Sequence, residues 1–105
     1  MEKLSKAQSK YLRKESHNHK PIFQMGKLGL TEVFIQQVDE AIEKRELIKF
    51  NILQNSSETI QDAAETIAEA IDALVIQTVG NTAVLYRPSS REKYQKISQV
   101  VSKLA

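Results

Sequence analysis

The stretch IFQMGKLGLTEVF, residues 22–34, passes from an apolar run through two glycines three apart into the start of a helix. Pro21 stands just ahead of it and disfavours helix for the residue before, so PIFQM (21–25) reads as a short strand. Beyond the glycines, Thr31 is a good N-cap and Glu32 suits the positive end of a helix dipole. Leu30 before the cap and Ile35 after it have the spacing of a hydrophobic staple. Phe34, Val38, Ala41 and Ile42 carry one apolar stripe on to about Arg45. A strand, a G-K-L-G loop and a capped helix in direct succession point to an α/β fold.

Upstream, residues from about Ser5 to Ser16 read as a helix, with Leu4, Ala7, Tyr11 and Leu12 on one face and a basic surface behind. Downstream, ELIKFNIL (46–53) alternates, placing Ile48, Phe50 and Ile52 on one side and Lys49 and Asn51 on the other, as a strand with one wetter face does. Asn55 and Glu58 have capping-box spacing. Ile60, Ala63, Ala64, Ile67, Ala68 and Ile71 then keep helical spacing, and their small alanines suit close packing on a sheet. ALVIQTV and TAVLYR flank Gly80-Asn81, and glycine first suits a type II′ hairpin.

The order is therefore α-β-α-β-α-β-β. It predicts a four-stranded mixed sheet with packed helices, in which a right-handed crossover joins a parallel pair and the last hairpin is antiparallel. Residues 1–88 make the domain. Residues 89–105 form a basic tail in which Ser89 and Glu92 have capping-box spacing. Tyr94, Ile97, Val101 and Leu104 are spaced for a short amphipathic helix there. The tail's role stays open between docking on the domain, contacting a partner and ordering only on a bound ligand.

One domain fits 105 residues, and an apolar fraction of 41% with 27% charged residues is that of a folded chain. No apolar run reaches the roughly 18 residues of a membrane span, and the basic N-terminus lacks the apolar core of a secretory signal. The absence of cysteine removes disulfides, thiol nucleophiles and thiolate metal sites. A cytoplasmic protein is the simplest expectation.

The net charge of +2 conceals segregation. Residues 1–30 hold seven Lys/Arg against two acids, residues 31–72 three against ten, and residues 73–105 five against one. Cationic ends around an acidic middle can fold into one basic face suited to a polyanion, or can be solvated helix surface.

Catalytic chemistry finds no constellation. His17 and His19 lack neighbouring ligands at metal spacing, so no metal or other cofactor is expected, and the acids fall on polar helix faces rather than in a pair across a cleft. G-K-L-G has neither the P-loop nor the dinucleotide spacing. What remains is a GxxG loop before a helix N-terminus, where backbone N–H groups and Lys27 suit phosphate. Gly26 and Gly29 equally permit a tight turn alone.

QMGKLGLTEVFIQQVDEAIEKRELIKFNIL followed by VGNTAVLYR resembles the CRM domain (chloroplast RNA splicing and ribosome maturation) in its single-domain bacterial YhbY form, over about Leu4 to Arg87. Three blocks in order carry the likeness: GKxGLT, ELIK and LYR. The resemblance implies a fold similar to the C-terminal domain of bacterial translation initiation factor three. It also implies a non-enzymatic RNA-binding protein associated with precursors of the large ribosomal subunit. By motif it assigns RNA contact to Gly26, Lys27, Leu28 and Gly29, and marks Lys49 and Arg87 as family positions; Tyr86 stays open between packing and surface. Leu28 stands where relatives often carry a polar or basic residue, and Arg45 where histidine is usual.

The sequence thus predicts an RNA-binding assembly factor, monomeric, with no membrane partner. Its GxxG loop meets phosphate while Lys3, Lys6, Lys10, Arg13, Lys14 and Lys20 supply the surrounding field. With few aromatics to expose, shape and backbone recognition are expected. The alternative is a protein-interaction module that meets ribosomal proteins, or itself, through its acidic helices or its C-terminal helix.

Overall fold

The computed structural model describes residues 3–26, 30–53 and 59–104. Helix α1 (Lys6–Ser16) is followed by β1 (Phe23–Met25), α2 (Glu32–Arg45), β2 (Leu47–Ile52) and α3 (Ile60–Ile71). The hairpin β3 (Leu74–Val79) and β4 (Thr82–Tyr86) precedes a 3-10 turn at Glu92–Tyr94 and the short helix α4 (Ile97–Ser102). Among the described residues the strands form one sheet in the order β1-β2-β4-β3. β1 and β2 are parallel, and the other two neighbouring pairs are antiparallel. β4 enters between β2 and β3, so the chain crosses over α3 to leave room for its own last strand.

Strand alternation divides the interior in two. Ile48, Phe50 and Ile52 join Ala83 and Leu85 under α2 and α3, where Phe34, Val38, Ile42, Ala63, Ala64 and Ile67 close the larger core. Phe34 packs edge-on against both Phe23 and Phe50. On the opposite side Leu47, Val84 and Tyr86 meet Leu12 of α1 and Val101 of α4. Leu30 and Ile35, the expected staple, both pack against the larger core. Gly80 takes φ 57° while Asn81 does not take positive φ, as a Gly-first two-residue hairpin requires.

Three local expectations shift, and a fourth lies outside the described residues. Ala7 is exposed, and Gln8 turns inward instead. The Gln8 carbonyl accepts from the backbone N–H of Ser5, whose hydroxyl accepts in turn from the Gln8 N–H, completing a capping box. The Gln8 amide also donates to the carbonyls of Val101 and Leu104, partners that alanine cannot engage. The Asn55–Glu58 pair lies outside the described residues; α3 begins at Ile60 with Thr59 as N-cap, its hydroxyl accepting from Asp62 N–H.

Glu46, read as the first strand residue, is instead the C-cap of α2, at φ 66° and fully buried. Finally, the tail helix is broken in two, and the Ser89–Glu92 box does not form: the Ser89 hydroxyl accepts from Arg91 N–H, and the 3-10 turn has no side-chain cap.

Glu46 explains that break. Its two carboxylate oxygens accept from the backbone N–H groups of Ser89 at 2.8 Å, Lys96 at 2.9 Å and Ser98 at 3.1 Å. Lys96 and Ser98 are at the N-terminus of α4, so a residue fifty positions upstream caps this helix and stops it extending backwards. A non-glycine residue at positive φ costs on the order of 1–3 kcal/mol, which these hydrogen bonds offset. Beside it, Glu43 accepts from the Ser90 hydroxyl and Ser90 N–H. Those bonds, with the charges of Arg87 and Arg91, hold the Glu43 carboxyl below its usual range against the opposing effect of burial.

Glu46→Gln is expected to lose about 2–4 kcal/mol of stability, since its amide turns a donor toward backbone donors. Urea midpoints check the loss, and hydrogen exchange should show Ser89, Lys96 and Ser98 losing protection before β2 and β4. Because folding lowers the Glu43 pKa, its contribution is complete above its ordinary value of 4.5 and fades as pH falls through the folded value. Glu43→Gln should therefore flatten the acid limb of a stability–pH curve measured by thermal melting.

Candidate nucleic-acid interface

The last turn of α1 and the GxxG end of the sheet meet on the α1 side. Lys6, Lys10, Arg13, Lys14 and His17 are all exposed and follow one another at helical spacing. They form a stripe about 16 Å long on the outer side of α1. Arg13 and Lys14 also sit where the helix dipole favours cations. Lys3 is exposed near the start of this stripe, lining a groove with α4.

Beneath α1 the sheet changes character row by row. Leu47 lies opposite Tyr86, and this row is sealed by α1 and α4. The next row is Lys49, Val84 and Gln77, and the last is Gln24, Asn51, Thr82 and Val79. Past Ser16 and His17 no helix among the described residues covers these two rows, leaving a hollow of about 250 Å³ lined by His17, Lys49, Gln77, Val79, Thr82 and Val84 among others. Lys49 is half-buried on a strand with neighbours on both sides, and none of the described carboxylates pairs with it. Lysine is depleted in strands, so this position gains nothing structural from the charge.

Gln77 and Val79 reach this face through a bulge. Val75 pairs with Leu85 and Gln77 with Val84, so Ile76 is the extra residue and the alternation is re-phased behind it. Val75 accordingly joins the larger core and Ile76 the smaller one. The Thr82 hydroxyl donates to Asn51 Oδ1 at 2.6 Å, tying β4 to β2 at the rim.

The residues of the expected site divide. Gly26 follows Met25 at the rim of the last row, and it is exposed. A Cβ on Gly26 would meet no heavy atom within 4 Å, and its φ is not left-handed. Among the described residues neither crowding nor backbone conformation calls for glycine there. Lys27, Leu28 and Gly29 lie outside the described residues. Lys20 is exposed at the opposite end of β1, beside Arg45 and Leu47.

Arg87 is elsewhere. It follows β4 at the end of the sheet away from Gly26, and its guanidinium donates to the Asp39 carboxylate and carbonyl and to the Ile71 carbonyl. Glu43 lies 3.5 Å from it. Arg87 thus joins α2, the end of α3 and β4. Tyr86 is buried beneath α1 and α4, and desolvation, then the charge of Glu46 and Tyr11, pushes its phenol up to about 12.

A four-stranded mixed sheet with helices packed on both faces, and exposed cations along α1, makes this chain a small α/β module. The family profile of the CRS1 / YhbY (CRM) domain matches residues 4–87, and the chain belongs to that family. It is 43% identical over 90 residues to "Probable RNA-binding protein YqeI" of Bacillus subtilis, covering 86% of this chain and 94% of that one. A Haemophilus influenzae relative named "RNA-binding protein" is 35% identical over 95 residues, covering 90% and 96%. The solution structure of protein SAV1595 from Staphylococcus aureus superposes with a TM-score of 0.73 at 41% identity, over 90% of this chain and 98% of that one.

Arg87→Met is expected to cost about 1–3 kcal/mol of stability, because it leaves the Ile71 carbonyl and Asp39 without their donor. The expected result is a lower urea midpoint with an unaltered salt dependence of nucleic-acid binding.

Proposed function

We propose that this chain is an RNA-binding protein, not an enzyme, acting in the cytoplasm as an assembly factor on ribosomal RNA of large-subunit precursors. The observation that carries RNA as the ligand is Lys49. A half-buried cation on a central strand, paired with none of the described carboxylates, lies in line with the α1 stripe and close to the Gly26 rim. The names of the relatives support RNA, and the ribosomal target is what membership of the family suggests. Lys3, Lys6, Lys10, Arg13, Lys14 and Lys49 attract the phosphates, and the GxxG loop (Gly26 to Gly29) approaches the backbone. Arg87 is left out of this surface because its guanidinium is engaged by Asp39 and Ile71. Lys20 contributes only to the wider field.

The alternative of a protein-docking C-terminal helix is weakened by where its apolar side goes: Val101 and Ile97 are packed with Leu12 and Tyr86. A monomer accords with a tail spent within its own chain.

Counterion release makes such binding salt-dependent, with a log–log slope of roughly 0.7 to 0.9 per phosphate contact. Replacing Lys10, Arg13 and Lys14 by Gln should weaken binding of a large-subunit RNA fragment and lower the slope by about 2 to 3. A folded triple variant with unchanged affinity and slope overturns the reading. Crosslinking in cells, followed by sequencing of the attached RNA, tests the ribosomal target directly.

A further inference from the structure

The hollow between α1 and the open rows of the sheet has a chemistry that phosphate attraction does not use. Val84 and Val79 form an apolar floor, and Val79 is 59% exposed. Gln77 presents an amide, donor and acceptor together, that makes no hydrogen bond among the described residues. Thr82 has already given its hydroxyl proton to Asn51, so its lone pairs remain to accept. His17 stands at the rim with an exposed imidazole, and Lys49 supplies the cation. None of the described carboxylates lines the hollow.

Each of these choices is costly for packing alone. Valine or isoleucine at 49 and 77 would extend the smaller core and suit a strand better, and polar groups without partners lose hydration where they are half-buried. The bulge at Ile76 is what turns Gln77 toward the hollow rather than toward α3.

We propose that this hollow takes one unstacked base of a bound RNA. The base lies on the valine floor under the His17 ring, its edge hydrogen-bonds to the Gln77 amide and Thr82, and its phosphate meets Lys49. Size favours this occupant, since about 250 Å³ falls below the usual range of small-molecule pockets, roughly 300–1,000 Å³, yet admits a single flat ring. Stacking on histidine and hydrogen bonding to an exposed base edge is how proteins read unpaired RNA. The inference rests on the RNA-binding reading and adds to it one point of base contact beyond backbone recognition.

The test uses the full chain and two RNA hairpins, one fully paired and one with a single bulged 2-aminopurine. The bulged hairpin should bind about tenfold tighter, with a change in 2-aminopurine fluorescence on binding. His17→Ala with Gln77→Ala should erase both the preference and the fluorescence change while leaving the salt slope and melting temperature in place. Replacing Lys10, Arg13 and Lys14 by Gln should do the reverse, lowering the slope and keeping the preference. Equal wild-type affinity for the two hairpins, or a preference that survives in the double variant, overturns the base site and leaves the phosphate-binding reading standing. Failure of the wild type to bind either hairpin overturns both.

Discussion

A single buried carboxylate holds together parts of the chain that are far apart in sequence. Glu46 ends α2 with its own N–H donating to the Ile42 carbonyl, and its carbonyl accepts from Arg87 N–H, extending the β2–β4 ladder by one bond. Its side chain meanwhile gathers the N–H groups of Ser89, Lys96 and Ser98. A helix end, two central strands and the C-terminal segment thus converge on one residue. The left-handed backbone at φ 66° aims the carboxylate inward rather than along the strand. With α4 fixed in this way, Val101 seals the row of Leu47 and Tyr86. Gln8 then ties α1 to the same segment from the other side.

That arrangement determines where the sheet is closed and where it is open. At the Tyr86 end, α1 and α4 together cover the surface. At the Gly26 end α1 has finished, α4 is absent, and the strands present Lys49, Gln77, Asn51 and Thr82. The two ends also divide the arginine and lysine of the family blocks. Arg87 of LYR is consumed by α2 and α3 at the closed end, while Lys49 of ELIK, in the open one, pairs with none of the described carboxylates. Motif membership alone does not distinguish these two cations. Their neighbours do.

Much of the fold was legible because it rests on periodicity and on caps. Thr31, the Phe34–Val38–Ile42 stripe, the alternation after Glu46 and the Gly80-Asn81 turn each act within a few residues, and each is found. What escaped is non-local. Nothing near Glu46 in sequence says that the N–H groups it accepts from lie about forty to fifty residues away, and nothing near Gln8 points to the carbonyls of Val101 and Leu104. The Ser5–Gln8 capping box was a legible S-x-x-Q signal that the apolar Ala7 obscured. Of the site, the stripe on α1 and Lys49 could be read from the sequence. Gln77 could not, because a bulge reverses the face that simple alternation assigns it. Arg87 looked like a free cation only until its partners on two helices were known.

The acids of α2 and α3, including Glu32, Glu40, Glu65 and Glu69, are exposed on the far side of the sheet from the α1 stripe. The body between them is only 25 by 23 Å across its short axes. Opposite charges held that near each other give the molecule a sense of direction in an electric field. In the field of a polyanion the torque on such a charge distribution turns α1 toward the opposite charge. Such a charge distribution is single-sided: one face of the molecule belongs to the α1 cations and the opposite face to the acids of α2 and α3.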